Sequence, residues 1–96
     1  MIEMKNFYAS EDGVSVSFSD ILTEPDAPRY VKILLDRCDK NNFDYILTQI
    51  PGFEVLESRG FTDDEIEKWI DYTKCNSFLI WEYALERQAE ELADDI

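Results

Sequence analysis

Carboxylates are the side chains this sequence carries in numbers and spacing that could do chemistry. Glu82, Glu86, Glu90 and Asp94 recur every four residues, with Glu91 and Asp95 beside them. On a helix that spacing makes one row, where like charges cost roughly 0.2–0.5 kcal/mol per pair. Acids in a last helical turn also oppose the macrodipole, at about 0.3–1 kcal/mol each when exposed. From Glu82 to Asp95 the six carboxylates would span about 20 Å, or one charge per roughly 3.3 Å. One DNA strand carries a charge per about 3.4 Å. The chemistry of such a row is attraction for cations rather than bond making, and local rules are broken without compensation where function is expected.

Residues for catalysis are missing. There is no histidine, which removes the commonest general base, the commonest metal ligand and any Ser-His or Cys-His pair. Three glycines, at 13, 52 and 60, cannot build a phosphate-cradling loop. The stretch from Asp36 to Asp44 has the oxygen ligands of a calcium loop but lacks its sharp-turn glycine and closing glutamate. A carboxylate dyad for glycoside hydrolysis would need a cleft that so small a chain rarely builds. Cys38 and Cys75, 37 residues apart without a CxxC, read as reduced thiols filling the core. No enzyme, metal or cofactor is therefore expected.

The totals set the partner class. The 96 residues hold 22 acids and 9 bases, a net charge of −13, and 45% hydrophobic residues, enough for one core in a single domain spanning 1–96. Residues 1–26 carry six acids and one base; residues 27–61 carry five of each; residues 62–96 carry eleven acids and three bases. The field thus has direction, repels free nucleic acid and anionic membrane, and favours a basic protein surface. Apolar runs such as Phe78 to Trp81 fall far short of the roughly 20 residues of a membrane span, and the first residues lack the shape of a signal peptide. A cytoplasmic location follows as an expectation.

The elements that must position these charges are read from periodicity. Ile2 to Tyr8, then Glu11-Asp12-Gly13, then the alternation Val14 to Ser19, predict an N-terminal β-hairpin with Val14, Val16 and Phe18 covered. Asp26 and Pro28 suit the start of a helix running to Asp39, with Tyr30, Ile33, Leu34 and Cys38 at helical spacing. Phe43 to Ile50 is taken as a short helix, although a run this short reads almost as well as strand. Phe53 to Arg59 adds another turn or two of helix before Gly60. Thr62-Asp63-Asp64-Glu65 is a capping box that opens a helix with Ile66, Trp69, Ile70 and Thr73 on its apolar face. Near Cys75-Asn76-Ser77 that helix bends into, or continues as, a last one burying Phe78, Trp81, Leu85, Ala89 and Leu92. The expected fold is α+β and helix-dominated, a β-hairpin packed against four to five helices.

Tyr72 and Tyr83 fall at the edge of the apolar stripe, where a tyrosine beside carboxylates suits an arginine-bearing partner. With Glu67 and Asp71 they would extend the contact made by Glu82, Glu86, Glu90, Glu91, Asp94 and Asp95. In size and charge the chain resembles small acidic phage-encoded anti-CRISPR and anti-restriction inhibitors. That resemblance implies a non-catalytic inhibitor that mimics nucleic acid in a target's positively charged binding groove, in the host cytoplasm if phage-encoded. The alternative is a small adaptor, subunit or nuclease immunity protein that binds through an apolar helix face. Either reading allows a monomer or a homodimer.

Overall fold

The computed structural model describes residues 6–39 and 42–94 and shows a five-stranded antiparallel sheet crossed by one long helix. Strands β1 (Asn6–Glu11), β2 (Val14–Phe18), β3 (Val31–Asp39), β4 (Asn42–Ile50) and β5 (Glu57–Arg59) lie side by side in chain order, and α1 (Asp63–Asp94) follows. The expected bundle of four to five helices is thereby overturned. Among the described residues there is one helix, and the fold is not helix-dominated.

The hairpin forms, and its turn explains why. Asp12 and Gly13 both have positive φ, 51° and 79°, the pair of conformations that matches a two-residue turn to the twist of its strands. Val14, Val16 and Phe18 are buried. In β1 the register slips between Phe7 and Ala9, and this bulge releases Tyr8 toward the helix, where its hydroxyl donates to Asn76 Oδ1 at 2.7 Å.

The stretch expected as a helix to Asp39 is a strand for a physical reason. Val31, Ile33 and Leu35 alternate as cleanly as Tyr30, Ile33, Leu34 and Cys38 recur at helical spacing. Alternation prevails because β3 finds backbone partners on both sides, pairing Phe18 with Ile33 on β2 and running from Val31–Ile50 to Asp39–Asn42 on β4. Asp26 caps nothing; it sits in the preceding loop with φ 66°. Residues 43–50 belong to β4, and the supposed turns of helix before Gly60 are a loop and the short β5. Cys38 and Cys75 are exposed free thiols, so neither fills the core.

The capping box holds. Glu65 N–H donates to Thr62 Oγ1 at 3.2 Å and Thr62 N–H donates to Glu65 Oε1 at 2.9 Å. From there α1 continues without a break through Cys75-Asn76-Ser77. Trp69, Thr73, Ile80 and Ala84, spaced by four, seven and four, are buried, and Trp69, Ile80 and Ala84 share one core cluster with Val16, Phe18, Ile33, Leu35 and Ile46. An unbroken helix has a single inward stripe, and the one begun by Trp69 and Thr73 leads to Ile80 and Ala84. It does not lead to Phe78, Leu85 and Ala89, which are exposed, while Trp81 is half-buried. The side chain of Leu92 lies outside the described residues.

Candidate protein-binding surface

The outward face of α1 is built from positions that the inward stripe leaves over. Glu67, Asp71, Phe78, Glu82 and Leu85 follow one another at spacings of four, seven, four and three, so they share one side of the helix, and all are exposed. Phe78 shows 72% of its surface to solvent and Leu79 and Leu85 more than a third of theirs. An apolar centre is thus flanked by carboxylates toward both ends of the helix.

Those carboxylates are unpaired. Among the described residues, Glu67, Asp71, Glu82 and Glu86 enter no ion pair, because the helix's bases point elsewhere. Lys68 Nζ lies 3.4 Å from Asp12 and 5.1 Å from the Trp69 ring centre. Lys74 sits 5.9 Å from the Phe53 ring centre. Arg87 lines a groove of about 420 Å³ between β1 and α1, together with Phe7, Tyr8, Phe18, Tyr83 and Glu86. The last turn of α1 contains no base to answer its dipole.

The other residues singled out by sequence divide. Tyr83 is exposed and its ring centre lies 5.8 Å from that of Tyr8, at the groove and next to Glu86. Tyr72 is half-buried edge-on against Trp69, 5.3 Å between ring centres, and burial raises its hydroxyl pKa, so it supports the core more than a rim. Glu90, Glu91 and Asp94 lie on the helical backbone, but their side chains are outside the described residues, as is Asp95 altogether. What sequence reasoning missed is Phe78 with Leu79 and Leu85. The signal was available in Thr73 and Ala84, small residues in register with Trp69, which let a helix lie close to a sheet.

The second uncovered surface is the face of the sheet opposite α1. Register places Ser17, Leu34, Leu47 and Glu57 in one row across β2 to β5 and Ser15, Asp36, Tyr45 and Arg59 in the next. Lys32 pairs with Gln49 beyond the first row, and Cys38 with Phe43 beyond the second. The Phe43 and Tyr45 rings stack at 5.8 Å. Partial burial raises the pKa of the Asp36 carboxyl.

Among the described residues, no group of three or more His, Cys, Asp or Glu side chains could hold a metal ion, and no helix is long and apolar enough to cross a membrane. Compared with known proteins, the chain matches no family model, and no curated protein or solved structure shows significant similarity to it.

Proposed function

We propose that this chain is a non-catalytic acidic inhibitor whose long helix docks on the positively charged, nucleic-acid-binding surface of a target protein, in the manner of anti-CRISPR or anti-restriction proteins. The observation that carries this reading is the exposed side of α1, where Glu67, Asp71 and Glu82 on the outward face and Glu86 at the rim of the groove stand without internal ion pairs. Unpaired carboxylates on a rigid rod attract a cationic groove at long range and steer encounter. Exposed free thiols at Cys38 and Cys75 fit a reducing cytoplasm as the place of action.

A second reading is favoured by Phe78 and Leu85. Large apolar side chains at the middle of a charged face are the kind of anchors that dominate binding energy. Under that reading the chain is an adaptor or immunity protein that binds through the apolar strip, and its charge only confers solubility. Capture of the target from host lysate at low and high salt, with wild type, Glu82→Lys/Glu86→Lys and Phe78→Ala side by side, separates the two. Loss of capture at high salt and in the charge-reversed variant supports electrostatic inhibition. Capture that ignores salt and charge reversal but vanishes with Phe78→Ala establishes the adaptor.

A further inference from the structure

We infer that the uncovered sheet face is the contact between two copies of this chain, paired by a two-fold axis that runs across the strands near Leu34 and Leu47. This interface is independent of the helix surface, which it leaves free on the outside of both copies.

Charge selects the occupant. The strand positions on this face carry Lys32, Asp36, Glu57 and Arg59, two bases and two acids, in a molecule whose net charge is −13. A cationic partner finds its complement on α1; the sheet face, with as many bases as acids at its strand positions, offers it no net charge. A second copy does find a complement there, and the register shows how. Leu34 lies midway between Lys32 and Asp36 on β3, all three on the open side. A two-fold axis crossing the strands at Leu34 sets β3 against β3 in opposite directions. Leu34 then faces Leu34, and Lys32 of each copy faces Asp36 of the other. On β4 the same operation centres on Leu47 and sets Tyr45 opposite Gln49. Facing sheets lie about 10 Å apart, a gap that lysine and aspartate side chains span.

The apolar side chains of this face lie together. Leu34, Leu47 and Tyr45, each half-buried, occupy the middle of the face, and Phe43, 46% exposed, lies beyond them toward the β3–β4 turn. A stable interface takes about 800 Å² from each partner. That is about one eighth of the 6489 Å² surface. Repulsion between two acidic copies is limited by screening over about 8 Å at physiological salt, because the unpaired acids of α1 sit on the far side of each sheet.

Sedimentation equilibrium on the full chain, from micromolar to submillimolar concentration, tests this. Wild type is expected to dimerise reversibly, and more strongly as salt rises, the opposite of the trend for a cationic target. Leu34→Arg, Lys32→Asp and Asp36→Lys should each weaken the dimer by roughly tenfold or more, whereas Lys32→Asp/Asp36→Lys combined should restore it. Because the charge swap keeps composition and exposes no new apolar surface, it remains informative if Leu34→Arg fails to fold. A monomer at every concentration overturns the inference. So does a dimer that is indifferent to these changes, or one that is broken by Phe78→Asp instead.

Discussion

Arg37 on β3 and Glu65 in the first turn of α1 form an ion pair, Nη1 to Oε2 at 2.7 Å, that fastens the helix start to the sheet. The same guanidinium donates to Asp44 Oδ2 at 3.0 Å and to the Gly60 carbonyl at 3.0 Å, and it lies 4.1 Å from the centre of the Phe61 ring. One cation thereby joins two strands, the turn after β5 and the helix cap, and it fixes the direction in which the acidic rod leaves the sheet.

This pair has a pH signature. Hydrogen bonding from Arg37, with help from the Thr62 backbone, lowers the Glu65 carboxyl to about 2, against 4.5 for an unperturbed glutamate. A depressed folded-state value means that the contribution is complete above 4.5 and is lost as pH falls from there toward 2. Asp36, whose value is raised by burial, acts with the opposite sign: its protonation on acidification favours the folded state. Urea midpoints measured above and inside that window should show wild type losing its margin over Glu65→Gln as pH drops. A margin that stays constant would show that the ion pair is not what lowers the Glu65 carboxyl.

The hairpin and the helix cap were legible in sequence because each rests on local chemistry, the Asp12-Gly13 turn and the Thr62/Glu65 exchange of hydrogen bonds. The three remaining strands were not, because Val31 to Cys38 satisfies both a two-residue and a helical period, and only the neighbours on either side decide between them. Of the acidic row, Glu82 and Glu86 are exposed on α1, while the side chains of Glu90, Glu91 and Asp94 and all of Asp95 lie outside the described residues. The row's companion surface was hidden by the assumption that large apolar residues go inside. Phe78 stays outside because Ile80 and Ala84, two and six residues on, claim the inward direction.

Gly60 is predicted to be irreplaceable. Its φ is +82°, a conformation that costs an L-residue, and a Cβ there would overlap the Asp44 carboxylate that Arg37 holds. Gly60→Ala should therefore destabilise by more than about 1 kcal/mol, strain adding to displacement of Asp44. Gly13→Ala, with open space around its Cβ, should incur only the backbone strain. Thermal melts of the two variants give the comparison.

The inward and outward stripes of α1 should separate in stability. Ile80 is fully buried, so Ile80→Ala is expected to cost about 2–5 kcal/mol. Phe78→Ala and Leu85→Ala remove side chains that face solvent and should change stability by no more than about 0.5 kcal/mol. If Phe78→Ala proved as costly as Ile80→Ala, the outward face would be core, and no apolar anchor would remain for a partner.

Reversing charge on the outward face should move stability and binding in opposite directions. Glu82 and Glu86 stand four apart, and Glu90 continues the spacing on the same helix, so their mutual repulsion opposes helix formation. Glu82→Lys/Glu86→Lys leaves positions 82 and 86 like-charged, but it lowers the net charge from −13 to −9 and puts a base four residues before the acid at 90, so the melting temperature should rise by up to a few degrees, a gain on the order of 0.5 kcal/mol. The same change replaces the charges proposed to meet a cationic groove and should abolish capture of the target. A protein that became more stable while losing its partner would show that the acids are kept at the helix's expense for what they bind. One that became more stable and still bound would mean that the row serves solubility alone, and that Phe78 and Leu85 are the surface to pursue.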